Sequence, residues 1–237
     1  MNFGKGSYCN VCNSRIRKWL PLGMDLPVLN EKQILGAGLR EALCPVCGSS
    51  DRIRLLLHFL KTKTDIFDIK LKLLHIAPEP SLEYIFRKSK NLEYLTADLD
   101  PAEVMVQMDI TQIQFPENTF DAIISNHVLE HIPDDQLAMN ELYRVLKPKS
   151  WAILQVPFSK ILEKTFEDPK IKSQKEREQV FGQKDHVRIY SKKDYITRLK
   201  NTGFKVEVYH WTEEPNLHTK GREMKLNPDE LVFFCRK

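Results

Sequence analysis

From Lys70 onward, short apolar runs alternate with stretches in which apolar residues recur at helical spacing. Runs of this length predict buried strands, and a spacing of three and four residues predicts amphipathic helices. The predicted strands are "KLLHIA", "LEYLTADLD", "EVMVQMDI", "FDAIISN" and "WAILQVPF", followed late in the chain by "KVEVYHW" and "ELVFFCRK". The predicted helices are "SLEYIFRKS", "PDDQLAMNELYRVLKPK" and "SKKDYITRLKNTGF". This alternation favours an α/β fold with a parallel sheet covered on both faces.

Residues 1–50 lack this periodicity and contain several turn signals, so we interpret them as a small separate module. Ser50 then precedes "DRIRLLLHFLKTK", which has helical spacing and a capping residue at its start. We expect a linking helix within 51–69 and a main domain over 70–237. Inside that domain, 159–190 carries many charges of both signs, which is typical of a substrate lid or of a solvated helix without a functional role.

Four of the five cysteines form two Cys-x-x-Cys pairs, Cys9 with Cys12 and Cys44 with Cys47. The N-terminus has no apolar secretory core, and in such a chain these pairs favour zinc over a disulfide framework. Each short loop turns two thiolates toward one point, and two loops complete a tetrahedral shell. Four thiolates leave no position for water, so the Zn²⁺ would be structural. Unliganded reduced thiols and a redox pair are the alternatives.

The amino-acid composition excludes some classes of protein but does not indicate a function. A charged content of 29% and a hydrophobic content of 42% are ordinary for a globular protein. No apolar run is long enough to cross a bilayer, so we expect a cytoplasmic protein without a membrane partner. The net charge of +4 is uneven, because the first 70 residues carry eleven Lys or Arg against six Asp or Glu. These basic residues would bind an anionic partner or would simply form a solvated surface.

Polar residues stand at the carboxyl ends of the first four predicted strands, where open α/β sheets bind ligands. They are His75, Asp98, Asp109 and the neighbours Asn126 and His127. Asp98 closes the second strand about twenty residues after the first turn, where an acid accepts hydrogen bonds from both hydroxyls of a ribose. That position suits either a nicotinamide dinucleotide or S-adenosylmethionine.

The first turn, "HIAPEP", separates these two cofactors. A dinucleotide needs glycines there, so that backbone N–H groups can approach the pyrophosphate. This turn has no glycine and two prolines, and its acid, Glu79, would repel a pyrophosphate. S-adenosylmethionine has no phosphate and carries a sulfonium cation. The residues therefore favour S-adenosylmethionine.

The chain from about Lys70 to Phe158, well over a third of its length, resembles the class I S-adenosylmethionine-dependent methyltransferases. The likeness is strongest to the type-11 branch, in the stretch "MDITQIQFPENTFDAIISNHVLEHIPDDQLAMNELYRVLKPKSWAILQVP". It implies a Rossmann-like sheet of seven strands whose last strand runs antiparallel, here with an N-terminal zinc-knuckle module of four cysteines. It implies that Asp98 binds the ribose and that Asp109 lies beside the adenine amino group, with Ile110 as its apolar neighbour. Asn126 and His127 would lie near the methionine moiety and the substrate.

The first turn departs from that family. His75 stands where the family has a strand acid, and the family's glycines fall at Ala77, Glu79 and Ser81. An "APE" turn of this kind resembles that of some zinc-knuckle methyltransferases. We expect His75, Ala77 and Glu79 to contact the cofactor, with Glu79 supplying the missing charge to its ammonium group. The alternative is a scaffold that has lost the cofactor.

The segment "HVLEH", from His127 to His131, also matches the inverted zinc-protease motif. That motif needs a helix, because two ligands four residues apart must share one face. A strand comes directly before this segment and Pro133 follows closely, so any helix would be about one turn long. We therefore expect His131 to be a loop or packing histidine and Glu130 to cap or pair locally.

The segment "QKDHVRIYS" follows the charged insertion and should return to the ligand-binding edge. Asp185 would then orient His186. Arg188 would bind an anionic group of the substrate, and Tyr190 would stack on it. The alternative is a structured turn in which the Arg and the Asp pair with each other.

Methyl transfer from S-adenosylmethionine is an in-line displacement, for which the protein mainly aligns the acceptor. A hydroxyl acceptor also needs a base, and a neutral histidine suits that role near pH 7. His186 is the first candidate base and His127 the second. The resemblance favours a small-molecule or glycan acceptor.

Two other functions stay open. One is an RNA methyltransferase whose zinc module binds the nucleic acid, which the basic first 70 residues permit. Aromatic residues interleaved with those charges are few, Tyr8 and Trp19, so nucleic acid is not the favoured partner. The other is a non-catalytic adaptor with a methyltransferase-like fold, whose zinc module binds a partner.

Overall fold

Seven strands form the central sheet of the protein, whose computed structural model describes residues 6–237 apart from the side chain of Glu103. The strands of the described residues are β1 (Tyr8–Cys9), β2 (Ser14–Arg15), β3 (Leu20–Leu22), β4 (Ile34–Leu35), β5 (Arg40–Leu43), β6 (Leu71–Ile76), β7 (Leu92–Asp98), β8 (Val106–Gln107), β9 (Phe120–Asn126), β10 (Leu146–Gln155), β11 (Phe158–Ser159), β12 (Phe166–Glu167), β13 (Arg188–Ser191), β14 (Lys205–His210) and β15 (Leu231–Arg236). The α-helices are α1 (Pro27–Glu31), α2 (Asp51–Lys63), α3 (Pro80–Lys88), α4 (Asp135–Val145), α5 (Gln174–Phe181), α6 (Lys192–Thr202) and α7 (His218–Glu223). Single 3₁₀ turns lie at Pro101–Glu103, Leu129–His131, Trp211–Glu213 and Pro215–Leu217.

The central sheet has the order β14-β15-β10-β9-β6-β7-β8. The strands from β6 to β10 run parallel, whereas β15 is antiparallel to both of its neighbours, β10 and β14. The predicted Rossmann-like sheet of seven strands with an antiparallel last strand is therefore confirmed. Because parallel strands end at the same edge, the polar residues that follow β6, β7, β8 and β9 meet there.

The helix predicted from "PDDQLAMNELYRVLKPK" is shorter than expected. α4 ends at Val145 and the chain continues at once into β10, so Lys147 and Pro148 lie in a strand rather than closing the helix. The register of β10 against β9 shifts between Leu146 and Trp151. Pro148, which cannot donate to a ladder, falls in this irregular stretch.

Apolar side chains fill both faces of the sheet, because successive residues of a strand point to opposite sides. In β9, Ile123 belongs to the cluster that includes α4 and α6, whereas Ala122 and Ile124 belong to the cluster that includes α2 and α3. All three side chains are fully buried. Among residues 6–237, no helix combines the length and the apolar character that a bilayer crossing requires.

Part of residues 6–50 packs beside the carboxyl edge of the central sheet. β4 pairs antiparallel with β11, and these two strands form a second sheet with β12 and β13. Val28 and Leu29 of α1 pack with Phe181 of α5 in a separate buried cluster. The N-terminal residues and the segment 159–190 therefore build one wall beside the edge where ligands bind.

Arg54 of α2 joins the N-terminal residues to the C-terminal part of the chain. Its buried guanidinium donates from Nε to the Met224 carbonyl at 2.7 Å and from Nη1 to the Ser49 carbonyl at 2.8 Å. It also lies 4.0 Å from the centroid of the Trp19 ring. The Ser49 carbonyl also accepts from the Cys44 N–H at 2.9 Å, so removing Arg54 would leave the Met224 carbonyl without a donor and the cation–π contact unmade.

We predict that Arg54→Met lowers the free energy of unfolding by about 1–3 kcal/mol, because the Met224 carbonyl loses its donor. Urea denaturation of the zinc-supplemented protein measures the change. The control is Arg17→Met, since Arg17 is exposed and should shift the free energy by less than about 0.5 kcal/mol. Equal stabilities of the two variants would show that Arg54 does not join these parts of the chain.

Candidate functional site

A cavity of about 560 Å³ lies at the carboxyl edge of the central sheet, and we call it the sheet-edge cavity. Residues that the sequence predicts at the carboxyl ends of four strands, β6 to β9, line this cavity. It is lined by Ile76, Ala77, Asp98, Leu99, Met108, Asp109, Ile110, His127, Val128, His131, Ile132, Arg177 and Asp185. The parallel sheet thus brings together Ala77, Asp98, Asp109, Ile110 and His127, which are far apart in the sequence.

Asp98 and Asp109, two of the three acids that line this cavity, are held by their own loops. Asp98 Oδ1 accepts a hydrogen bond from the Asp100 N–H at 2.9 Å. Asp109 Oδ1 accepts from the Thr111 N–H at 2.8 Å and from the Thr111 hydroxyl at 2.7 Å. In both cases the hydrogen bonds engage only one carboxylate oxygen among the described residues. Each acid therefore keeps an oxygen that can accept from a ligand.

The turn after β6 keeps the shape of a glycine turn although it contains no glycine. Ala77 has a φ of 48°, in the left-handed region that favours glycine. A residue with a Cβ pays about 1 kcal/mol for this conformation. The Ala77 N–H donates to the Ala97 carbonyl at 2.9 Å, which ties the turn to the neighbouring strand β7. The backbone bend that a cofactor turn needs is therefore present.

His75 is fully buried beneath the turn and does not line the sheet-edge cavity. Its Nε2 lies 2.9 Å from Glu79 Oε2, and its Nδ1 lies 2.9 Å from the Tyr94 hydroxyl. Asn126 Nδ2 donates to the other oxygen of Glu79 at 2.9 Å. Both Glu79 oxygens are therefore occupied, whereas Asn126 Oδ1 is buried without a partner among the described residues. Asn126 and Glu79 do not line the sheet-edge cavity but a separate small cavity of about 70 Å³ that also contains His127, and of the two only Asn126 offers a free acceptor.

A second cavity of about 410 Å³ adjoins the first, and we call it the histidine pocket. The two cavities share His127 and His131. The histidine pocket is lined by Leu22, Gly23, Met24, Leu29, Gly36, Ala37, Arg52, His127, Glu130, His131, Pro157, Gln183 and His186. Its wall therefore combines N-terminal residues, the loop after β9 and the end of the segment 159–190.

The polar groups of the histidine pocket have shifted pKa values. Burial lowers the pKa of His186 to about 4, with a smaller contribution from the neighbouring His131. Burial also lowers the pKa of His127 well below its usual value, and the nearby Arg52 adds to this effect. Burial raises the pKa of Glu130 to about 8. Both candidate bases, His186 and His127, are therefore neutral near pH 7 and line the pocket.

Glu130 and His131 were not predicted as site residues. The 3₁₀ turn Leu129–His131 is a single turn long, as the nearby proline predicted, and it directs both side chains into the pocket wall. His127, with a φ of 56°, makes the sharp bend before it. The only signal in the sequence was the "HVLEH" pattern itself.

Arg52 is a further residue that the sequence analysis missed, because it lies in the regular helix α2. Its Nη1 donates to the Gly36 carbonyl at 2.7 Å and lies 3.2 Å from His127 Nδ1. Gly36 has a φ of 86°, and a Cβ there would lie 3.3 Å from Arg52 Nη1. Arg52 thus links the N-terminal wall to the loop after β9.

Only some residues of the segment "QKDHVRIYS" line the two cavities. Asp185 lines the sheet-edge cavity, and its Oδ2 lies 3.4 Å from Nδ1 of His131, so it faces His131 rather than His186. Arg188 is buried and pairs with Glu167 at 2.8 Å. Tyr190 is fully buried, and its hydroxyl donates to Asp135 at 2.6 Å.

Neither Arg188 nor Tyr190 lines the sheet-edge cavity or the histidine pocket. Arg188 borders a separate cavity of about 640 Å³, whose other charged groups include Glu167 and Arg198. Arg198 pairs with Glu167 at 2.7 Å, so these charges mainly satisfy one another. Arg188 and Tyr190 therefore contact protein groups, and we assign them no contact with substrate. The alternative of an Arg188–Asp185 pair is not observed either, because Arg188 pairs with Glu167 and Asp185 faces His131.

The four cysteines of the two Cys-x-x-Cys pairs come together near the N-terminus. Their sulfur atoms all lie within 4.8 Å of one another, and no disulfide links them. The distances from Cys9 to Cys47 and from Cys12 to Cys44 are 3.7 and 3.8 Å. A tetrahedral zinc with bonds of 2.3 Å would separate its sulfurs by about 3.8 Å. The residues present therefore fit a structural Zn²⁺.

The family comparison agrees with the geometry. Residues 78–154 match the family of the type-11 branch that is described as "Methyltransferase domain". A stretch of 66 residues is 39% identical to cycloartenol-C-24-methyltransferase from Arabidopsis thaliana. That match covers 28% of this chain and 19% of the relative, so the chain matches about a fifth of that protein's length.

The chain carries a methyltransferase domain over residues 78–154.

Solved structures show the same fold for this methyltransferase domain. The [4+2]-cyclase SpnF aligns with a TM-score of 0.56 at 13% identity, over 89% of this chain and 92% of that chain. A SAM dependent methyltransferase from Archaeoglobus fulgidus aligns with a TM-score of 0.52 at 12% identity, over 80% of this chain and 95% of that chain. Because one of these structures is a cyclase, the fold alone does not fix the reaction.

We predict that the purified methyltransferase contains zinc bound by the four cysteines, and that Cys44→Ser loses this metal. The loss should lower the melting temperature by about 2–4 °C for each kcal/mol of binding energy removed, because zinc binding to a site formed by folding stabilises the fold. Elemental analysis and a thermal denaturation scan measure the two effects. The control is Cys235→Ala, a buried cysteine outside the cluster, which should keep the metal. Unchanged zinc content in Cys44→Ser would contradict the assignment.

Proposed function

We propose that the protein transfers a methyl group from S-adenosylmethionine to a hydroxyl of a small polar acceptor, such as a sugar. The observation that carries this proposal is that two cavities of different chemistry meet at His127 and His131. One contains the strand-end residues of the methyltransferase family, and the other is enclosed by the N-terminal wall. A cofactor and an acceptor would thus lie in adjoining compartments.

The residues of the sheet-edge cavity fit S-adenosylmethionine. The free oxygen of Asp98 would accept from the ribose hydroxyls, and Asp109 and Ile110 would lie beside the adenine. The unpartnered Asn126 Oδ1 would accept from the ammonium group, with Glu79 holding the Asn126 amide in place. The cofactor, when bound, supplies a methyl group already activated by a sulfonium.

The lining of the histidine pocket supports a small polar acceptor. Three histidines, Glu130 and Arg52 contribute polar groups, and a volume of about 410 Å³ suits a small molecule. The relative from Arabidopsis is named for cycloartenol, an apolar sterol that these polar walls would not suit. A nucleic acid would need an open basic groove with stacking aromatics, whereas this pocket is closed by residues 22–37.

The two predicted bases are not equivalent. Arg52 always donates, so its contact with His127 Nδ1 occupies the lone pair of that nitrogen. His127 would have to lose this contact before its Nδ1 could accept a proton. His186 makes no such contact with Arg52, so we keep it as the first candidate to accept the acceptor's proton and assign His127 to positioning.

We predict that Asp98→Asn binds S-adenosylmethionine about tenfold or more weakly, because the ribose loses a charge-assisted hydrogen bond. Isothermal titration calorimetry measures the affinity. The matched control is Asp100→Asn. Asp100 lies two residues away and caps the 3₁₀ turn by accepting from the Ala102 N–H, which an asparagine oxygen can also do, so its affinity should stay within about twofold.

A wild-type protein that ignores S-adenosylmethionine at millimolar concentration would overturn the proposal and favour the adaptor. Uptake of NADH instead would show that the turn admits a pyrophosphate. Salt-dependent binding of RNA together with cofactor binding would replace the small acceptor by RNA.

A further inference from the structure

A second group of metal-ligand side chains lies where the two cavities meet. Glu130, His131 and His186 each place one ligand atom within 4.8 Å of the other two. His131 Nε2 is 4.0 Å from Glu130 Oε1. The rings of His131 and His186 are 4.7 Å apart and nearly perpendicular, at 85°. These residues come from the loop after β9 and from the end of the segment 159–190, so only the fold unites them.

Glu130 is the residue that points to a cation. Its side chain is 1% exposed, and neither carboxylate oxygen accepts a hydrogen bond from the described residues. A buried carboxylate without donors is costly to a fold, and either a proton, which the raised pKa of Glu130 favours, or a bound cation would remove that cost. His127 Nδ1 lies 3.3 Å from Oε1, but Arg52 occupies the lone pair of that nitrogen. The remaining neighbours with free lone pairs are His131 and His186.

Asp185 prepares His131 to act as a ligand. Its Oδ2 lies 3.4 Å from Nδ1 of His131, while Nε2 of the same ring faces Glu130. A carboxylate beside one ring nitrogen favours the proton there and leaves the other nitrogen bare. Metal-binding histidines are commonly held in this way.

We propose that Glu130, His131 and His186 bind one divalent transition-metal ion with an open coordination position toward the histidine pocket. Two imidazoles and one carboxylate suit Zn²⁺, Co²⁺ or Fe²⁺ better than Mg²⁺ or Ca²⁺, which prefer oxygen ligands. Bonds of about 2.0–2.2 Å place neighbouring ligand atoms about 3.3–3.6 Å apart. Side-chain movements of less than about 1 Å would close the observed group to that size.

The four cysteines form a closed set, whereas this group supplies three ligands and leaves a position for one more. Three protein ligands with an open position are typical of catalytic rather than structural metal sites. His186 would then be a ligand rather than the base, because a neutral imidazole has one lone pair. The ion would hold an oxygen atom of the acceptor beside the sheet-edge cavity and would lower the pKa of that hydroxyl. That use, unlike the binding of the ion, rests on the proposed methyl transfer.

The test is a titration of Co²⁺ into the whole chain loaded with a single equivalent of Zn²⁺, which the four cysteines hold, followed by calorimetry and by visible absorption. We expect one equivalent of Co²⁺ with the weak visible bands of nitrogen and oxygen ligands. Glu130→Gln and His186→Ala should bind it at least tenfold more weakly. His210→Ala is the matched control, because His210 also lies near a glutamate, with Nδ1 3.9 Å from Glu213, but outside any three-ligand group. It should bind Co²⁺ as the wild type does.

A third variant, Asp185→Asn, covers the case in which Glu130→Gln or His186→Ala fails to fold. The Asp185 side chain is 52% exposed, so this substitution should leave the fold intact. It should weaken Co²⁺ binding about tenfold, because it no longer fixes the His131 ring. Unchanged affinity in the variants would overturn the site. So would an intense thiolate charge-transfer band without the visible nitrogen and oxygen bands, which would place Co²⁺ on the cysteines.

Titration of S-adenosylmethionine in parallel separates the two proposals. Co²⁺ binding without cofactor binding would support the metal site and overturn the proposed methyl transfer. Cofactor binding with no Co²⁺ binding would overturn the metal site alone.

Discussion

The hydrogen bonds that Glu79 accepts from His75 and Asn126 hold the ligand-binding edge of the sheet together. His75 is the next-to-last residue of β6 and Asn126 is the last of β9, so one carboxylate joins the carboxyl ends of two neighbouring strands across the turn. This contact leaves Asn126 with a free oxygen and keeps a negative charge beside the turn. A charge at that place disfavours a pyrophosphate and suits a cation, so the preference for a sulfonium cofactor depends on it.

The same turn shows how a cofactor loop can keep its shape without glycine. Ala77 adopts the left-handed conformation at a cost that the surrounding hydrogen bonds must offset. Because the turn has no glycine and contains two prolines, a phosphate cannot closely approach its backbone N–H groups. Such a loop is workable for a ligand whose reacting end is a sulfonium rather than a diphosphate.

The N-terminal wall turns a sheet edge into a closed site. β4 and α1 pack on β11 and α5, and Arg52 connects this wall to the loop after β9 through Gly36 and His127. The cluster of four cysteines lies in the same part of the chain, and Arg54 anchors it to the C-terminal residues. A metal that orders this module would therefore also order one side of the histidine pocket.

The sequence by itself determined the α/β fold, the seven-stranded sheet and the two cysteine pairs, because periodic burial and short ligand spacing are local properties of the chain. It also placed Asp98, Asp109 and His127 at one edge, since parallel strands must end together. Only the tertiary structure decided that Tyr190 and Arg188 are buried, that Asp185 faces His131, and that Glu130 has no donor among the described residues. Those facts depend on how segments more than fifty residues apart pack against each other. The spacing of hydrophobic residues along the chain does not predict such contacts.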